Sequence, residues 1–396
     1  MQDGRFNLVD QSGRFSFGVL LVIIFLDMLS LGFIIPLLPI YARDLGATGL
    51  WVGAIFASHS FSRLIVLPVI GKLSDKYGKK KPFIMVGMFL YILLALGYVR
   101  ASCVYDLVLI RMLQGIASAM IFPTAMAYVG EMSPRDKEGT YMGKFNFSAF
   151  VGLGCGPFLG GIFKDTLGIK AVFYTMAILS SISLILVIFL LPEQKTMSYY
   201  HRTGKVISYR KLLGYKPVQG IMIYRVVIAL IGGGALCFLP LLAAKMGASA
   251  FHTGILLSTN TILAGILQRP FGRIADRRSK LFLIITGSLI GSFSLFSMPL
   301  STNYLALLCL GITMGIGSAM SMPAASAIAA IIGKKEGIGS MMELFTMAMS
   351  VGLVASPLIS GTVMDFLSIN AVFYAMGALS LLGTAISYLP LKTYKE

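Results

Sequence analysis

Apolar residues in this chain run in long stretches that neither alternate like a half-buried strand nor keep to one helical stripe. Twelve such stretches lie near 17–40, 50–71, 82–100, 105–129, 142–163, 171–192, 217–243, 252–271, 281–299, 304–331, 339–361 and 370–390, separated by charged residues or by Gly and Pro. Each is long enough to cross about 30 Å of hydrocarbon as a helix. Inside lipid a backbone cannot borrow hydrogen bonds from water, so each stretch is expected to be a transmembrane α-helix. The expected fold class is an all-α membrane protein. The longest polar stretch, 193–216, is basic and rich in Tyr, as suits a linker lying on an anionic inner leaflet.

The twelve stretches are two copies of six. At an offset of 201, Pro39, Gly46, Gly53, Gly71 and Asp75 fall on Pro240, Gly247, Gly254, Gly272 and Asp276. At an offset of 200, GIASAMIFP (115–123) falls on GIGSAMSMP (315–323), Pro157 on Pro357, Asp165 on Asp365, and AVFY (171–174) on AVFY (371–374). Six spans separate the copies, an even number, so both copies insert the same way up. The expected organisation is two pseudo-symmetric six-helix bundles, 1–192 and 217–396, joined by the cytoplasmic linker 193–216, with a central site between them.

Composition narrows the class further. Hydrophobic residues make up 57% of the 396 residues and charged residues only 12%, about half the share usual in soluble domains. The net charge of +17 would suit nucleic acid, but its placement does not. With the N-terminus inside and the spans alternating, 24 Lys and Arg fall on the cytoplasmic side, 5 outside and 4 within spans. That is the positive-inside bias, so the charge reports topology and nucleic-acid binding is excluded. Both termini are expected in the cytoplasm and the protein in the cell (inner) membrane. The four cysteines, Cys103, Cys155, Cys237 and Cys309, are scattered without a C-x-x-C pair, which implies neither a disulfide framework nor a metal site. The first stretch is long, interrupted by Asp27 and continues to Pro36 and Pro39, so no cleaved leader is expected.

Between the second and third stretches stands GKLSDKYGKKK (71–81), where Gly71, Asp75 and Gly78 set a turn and Lys76, Lys79 and Lys80 supply basic groups. Its second copy, GRIADRRSK (272–280), keeps Gly272 and Asp276 but has Ser279 at the second glycine. Glycines allow the tight turn, and the Asp is placed to meet a helix N-terminus or a cation. This loop resembles the G-x-L-a-D-r-x-G-r-k motif of the major facilitator superfamily, a resemblance that implies a cytoplasmic gate latching the two halves. LIRMLQGIASA (109–119) resembles the same family's fourth-helix motif through Arg111, Gln114 and Gly115. The resemblance links that Arg to proton transfer in proton-coupled members. GLGCGPFLGG (152–161) resembles the fifth-helix motif of the family's exporters through Gly152, Gly156, Pro157, Gly160 and Gly161. Small residues four apart let helices approach closely, and Gly-Pro bends the span, so this helix is either a pivot or generic close packing. The opening span, FLDMLSLGFIIPLLPIYARDLG (25–46), is similar to that of the twelve-helix drug:proton antiporters.

Ionisable groups inside the spans are weighed singly, because each costs on the order of 2.5–3.5 kcal/mol at a helix centre on insertion scales. Asp27, His59, Arg63 and Arg111 fall within a long side chain of one mid-membrane layer, on helices 1, 2 and 4. They are read as a proton relay, with Asp27 as the titrating carboxyl, Arg111 tuning it and His59 a second site; Asp27 and Arg111 as a permanent structural pair is the plain alternative. Arg63, Gln114, Asn146, Arg225, Asn260 and Glu343 are the polar positions expected to line a substrate cavity. For Arg63 a tie inside the bundle, and for Glu343 a helix-end cap, are equally open. Arg269 is near enough a helix end to snorkel, and Glu131 is expected to be structural.

Taken together, the resemblance implies a secondary active transporter, a proton-coupled exporter of small amphipathic compounds or drugs working by alternating access. The cationic second helix keeps an anionic metabolite or siderophore open as cargo. The same fold also serves importers, and a non-transporting sensor or assembly component is the reading from another class. No constellation for an enzyme, cofactor or metal stands out. The expected partners are a small-molecule substrate, protons and lipid, with the chain as a monomer.

Overall fold

The computed structural model describes residues 2–77, 79–133, 138–193, 209–277, 279–336 and 338–393. Among them the chain forms α1 (Gln2–Ile34), α2 (Leu38–Asp44), α3 (Gly49–Tyr77), α4 (Lys81–Arg100), α5 (Val104–Met132), α6 (Glu138–Leu167), α7 (Ile169–Leu190), α8 (Tyr209–Leu213), α9 (Lys216–Lys245), α10 (Ala250–Arg277), α11 (Lys280–Ser297), α12 (Tyr304–Glu336), α13 (Ile338–Phe366) and α14 (Ile369–Leu391). Twelve segments are long and apolar enough to span a bilayer, and they fall on the twelve stretches expected from the sequence.

Local chemistry explains the departures from twelve plain rods. The first span is broken: α1 ends at Ile34, residues 35–37 form a turn, and α2 resumes at Leu38. Pro36 cannot donate to the helix ladder, while Pro39 sits in the first turn of α2 where no donor is needed. The repeat has Cys237 at the place of Pro36, so α9 runs through Pro240 unbroken. Both outer ends close alike. Gly46 (φ 84°) and Gly247 (φ 78°) adopt the left-handed conformation that a side chain would strain. In each, paired backbone bonds (Ala47 to Ala42, Gly46 to Arg43; Ala248 to Ala243, Gly247 to Ala244) satisfy the last carbonyls in Schellman fashion.

By packing, the chain divides into two compact units, Met1–Leu37 with Ser58–Tyr200, and Leu38–Ala57 with His201–Glu396. In the first, α1 packs on α6 and α7, and α4 on α5 and α7. In the second, α9 packs on α13 and α14, and α11 on α12 and α14, the same pairs in the copy. The α1–α6 contact is made by glycines. A Cβ on Gly152 would meet the carbonyl of Phe25, one on Gly156 the backbone of Leu29 and Gly32, and one on Gly160 the backbone of Phe33. In the copy Gly352 meets Val226 and Ala229, and Ser356 donates to the carbonyl of Leu230. Small side chains at a spacing of four are what hold helices together where lipid removes the hydrophobic drive between them.

The second unit includes the outer end of α3. Asp365, near the end of α13, accepts hydrogen bonds from the backbone N–H groups of Gly49 (2.5 Å) and Leu50 (2.7 Å). These are orphan donors of the first turn of α3, and a carboxylate there also meets the positive end of the helix dipole. Gly49 lies against Gly361, and Gly53 against Pro357, so the cap sits on a backbone-to-backbone contact. Asp365→Asn removes the charge and one acceptor. It is expected to cost about 1 kcal/mol, seen as a small fall in the thermal midpoint in detergent.

Candidate functional site

The polar groups of the first unit converge from four helices. Asp27 on α1 is 4% exposed, and His59 on α3 is 8% exposed. Arg63, one turn beyond His59, is half-buried. On α5, Arg111 and Gln114 are both buried; Arg111 Nη1 donates to Gln114 Oε1 at 3.0 Å. Tyr98 Oη on α4 donates to the same oxygen at 3.1 Å, and its ring stacks on Phe173 at 5.0 Å. Gln114 is thus held by an Arg and a Tyr, which fixes the guanidinium on the α4 side of α5.

The crossing of α3 and α5 is set by small groups. Gly115 lies against the carbonyl of His59 and the hydroxyl of Ser62, a contact that any side chain would part. Ser62 Oγ donates to Met112 O at 2.7 Å and Ser58 Oγ to Val108 O at 3.4 Å, tying the helices directly. His59 Nε2 has no hydrogen-bond partner among the described residues. A buried ring nitrogen without a partner is costly unless water or a ligand reaches it.

Asp27 and Arg63 lie within electrostatic reach of each other. Tyr91 on α4 stands within electrostatic reach of Asp27, Arg63 and Arg111, so it joins the three into one cluster. The sequence reading missed Tyr91 and Tyr98. They are seven residues apart and share a helix face, and the repeat offered a second signal. In the second unit the corresponding positions are Gly291 and Met298, while Asp27, Arg63, Arg111 and Gln114 become Ile228, Ala264, Gly311 and Met314. The scaffold holds together without these polar side chains; one copy keeps them.

The remaining expected positions separate. Asn146 on α6 is exposed. Asn260, the counterpart of His59, donates from Nδ2 to the carbonyl of Gly311 at 2.8 Å, a tie between α10 and α12. Arg225 on α9 is half-buried and directs Nη1 to Met322 Sδ (2.9 Å) and Nη2 to Met349 Sδ (2.8 Å). Arg269 is exposed near the end of α10, as a snorkelling side chain would be. The side chains of Asp75, Glu131, Asp276 and Glu343, and the whole of Gly78, lie outside the described residues. Of the expected gate, a Cβ on Gly71 would meet nothing within 4 Å and one on Gly272 only Pro323 at 3.9 Å. Lys79 pairs with Glu193 at 3.6 Å, both largely exposed, and Lys80 is buried at the start of α4. Gly152, Gly156, Pro157, Gly160 and Gly161 are all buried along α6. Among the described residues no group of His, Cys, Asp and Glu is arranged to hold a metal.

Two stretches of the chain, 20–238 and 221–395, match the sequence profile of the Major Facilitator Superfamily. An uncharacterised transporter of that type from Methanocaldococcus jannaschii is 31% identical over 379 residues, covering 94% of this chain and 97% of the relative. The multidrug resistance protein MdtG of Proteus mirabilis is 27% identical over 381 residues, covering 93% of this chain and 94% of the relative. Among solved structures, a bacterial homologue of the human lysosomal transporter Spinster superposes with a TM-score of 0.81 at 12% identity, over 97% of this chain and 98% of that one.

Proposed function

The chain belongs to the Major Facilitator Superfamily and is a multi-pass membrane transporter, and from that premise we propose that it is a proton-driven exporter of small amphipathic compounds, working by alternating access. The observation that carries the reading is Asp27, a carboxyl buried in a span beside Arg63 and kept in one copy of the repeat only. Such a group is retained against a cost of roughly 2.5–3.5 kcal/mol on insertion scales, which marks it for ion or proton movement rather than packing. Proton binding at Asp27 and substrate binding compete. Arg63 sets the balance directly, and Arg111, held by Gln114, acts with Tyr91 at longer range. His59, with its free Nε2, is the second proton site.

Several relatives are named multidrug resistance proteins, MdtG among them, which supports small amphipathic cargo. The glycine contact of α6 with α1 supports the exporter reading, since it joins the helix carrying Asp27 to the one expected to pivot. The Asp75 and Asp276 loops are assigned to the cytoplasmic gate, and Arg63, Gln114, Asn146, Arg225, Asn260 and Glu343 to the substrate path. The protein acts as a monomer in the cell membrane with both termini inside. The proton gradient supplies about 2.3 kcal/mol per 100 mV for each net charge moved.

A second reading, export of an anionic metabolite, draws on the two arginines, Arg63 and Arg111, within electrostatic reach of Tyr91. Proteoliposomes test proton coupling and direction. With an imposed pH gradient, an amphipathic fluorescent dye is expected to accumulate against its own gradient and to leak out when a protonophore is added. Dye movement indifferent to the protonophore would overturn proton coupling, and accumulation in the direction of proton flow would make the protein an importer. The orientation has its own check. Cys103, exposed at the start of α5, is expected to react with a membrane-impermeant maleimide added outside intact cells, in a variant whose other three cysteines are Ser.

A further inference from the structure

Arg225 in the second unit stands among sulfur and aromatic groups. Its two terminal nitrogens each meet a methionine sulfur, Met322 and Met349, and its guanidinium carbon lies 4.7 Å from the centre of the Phe345 ring. Its Nε is buried with no partner among the described residues. A guanidinium carries five N–H donors in a planar fork, and thioethers are weak acceptors. Neither sulfur carries a charge. Among the described residues the cation is therefore held by soft contacts and an aromatic face, with no oxyanion on its fork.

The repeat shows that packing does not require this cation. The positions of Arg225, Met322, Phe345 and Met349 correspond to Ile24, Phe122, Phe145 and Ala149 in the first unit. There, Phe122 and Phe145 pack ring against ring at 5.2 Å, and all four side chains are apolar. One copy fills the space with hydrocarbon. The other places a permanent positive charge within it, at a cost that an intramembrane site repays only through a partner. The two methionines are unbranched and adaptable, so they can withdraw from the guanidinium as a stronger acceptor arrives.

We propose that Arg225, Met322, Phe345 and Met349 form a binding site for an amphipathic organic acid, with its anionic head on Arg225 and its aromatic or alkyl body against Phe345 and the methionines. The assignment rests on the reading that the chain moves small amphipathic compounds, and it names the charge class of that cargo. An oxyanion takes the open fork of the guanidinium, and the soft walls accept varied bodies without selecting among them. A cationic drug would meet like charge here.

The test uses the purified full-length protein in a non-ionic detergent, without a proton gradient, so that binding is read apart from coupling. The probe is a dansyl amino acid, neutral apart from its carboxylate, supplied as the free carboxylate and as its methyl ester, followed by fluorescence anisotropy. The parent is expected to bind the carboxylate more tightly. Arg225→Gln is expected to weaken carboxylate binding by about tenfold or more, the scale of a lost charge-assisted contact, and to leave ester binding within about twofold. Arg225→Lys, which keeps the charge but not the fork, is expected to fall between. Equal loss of both forms, or no loss of either, would overturn the assignment. So would a thermal midpoint lowered alike by Arg225→Gln and Glu343→Gln in the absence of dye, since Arg225 would then be the partner of Glu343. A lipid headgroup offers the same oxyanion chemistry. If phosphatidylglycerol stabilises the parent but not Arg225→Gln, and the dye does not bind, the site belongs to lipid and the cargo assignment falls. Normal carboxylate selectivity with no proton-driven transport would leave this site standing and remove the proton-coupled function instead.

Discussion

Asp27→Asn is expected to abolish substrate-driven proton movement while the protein remains folded and still exchanges substrate across the membrane. The amide is the nearest match to a carboxylic acid in shape, so the substitution mimics the protonated state permanently. Two opposing terms set the stability. Removing a buried carboxylate relieves part of its burial cost, on the order of 2.5–3.5 kcal/mol on insertion scales. It also leaves Arg63, the neighbouring charge, uncompensated, which for a buried pair costs about 3–5 kcal/mol and for a half-buried cation less. The terms nearly cancel, so the thermal midpoint should shift little in either direction. Transport splits instead. In proteoliposomes, uphill dye accumulation falls to the level of empty vesicles, whereas counterflow between equal pools of dye persists and no longer responds to pH. Asp27→Glu is expected to recover part of the coupling. Full proton coupling in the Asn variant would remove Asp27 from the mechanism and turn attention to His59.

Gly156→Leu is expected to damage the fold severely. A Cβ alone at this position would stand 2.5 Å from Gly32 Cα and 2.8 Å from the carbonyl of Leu29, both backbone atoms of α1. Backbone cannot swing aside as a side chain does, so α1 and α6 must part along the row that includes Gly152 and Gly160. Overpacking a well-filled core costs about 1–3 kcal/mol, and a branched side chain between two helix backbones belongs at or beyond the upper end. The measurement is the yield of monodisperse protein and its thermal midpoint in detergent. Gly143→Leu on the same helix is the control: nothing lies within 4 Å of its Cβ, and its folding should be unchanged. Gly156→Ala probes motion. If α6 pivots on this contact, the Ala variant folds but its turnover falls well below the parent, with substrate affinity retained. A Leu variant as stable as the parent would show that the close approach of the two helices is dispensable.

Arg111 shows where a linear reading stops. The sequence marks it as a buried charge, and the structure adds that its guanidinium is bonded to Gln114. A helix rotates 100° per residue, so a change in how α5 turns about its axis decides which neighbour an arginine meets. Nothing in the spacing of 27, 63 and 111 records that rotation. Tyr91 and Tyr98 are not legible from sequence, because a tyrosine in an apolar run resembles any other large side chain; only the packing of α4 on α5 brings both to the cluster. Asn260, expected from sequence to line the cavity, donates its amide to a carbonyl across α10 and α12.

What the sequence determined by itself was whatever lipid enforces residue by residue. With no water to satisfy a backbone, each span must be a helix of sufficient length, so hydropathy marks twelve of them and the repeat pairs them. Pro36, Gly46 and Gly247 act through their own backbones and were open to the same local reasoning. What only the tertiary structure decided was partnership: Asp27 beside Arg63, Arg225 between two sulfurs and a ring, and Asp365 on the first turn of α3. Those contacts join residues tens to hundreds of positions apart, and they depend on helix rotation, tilt and the reach of side chains.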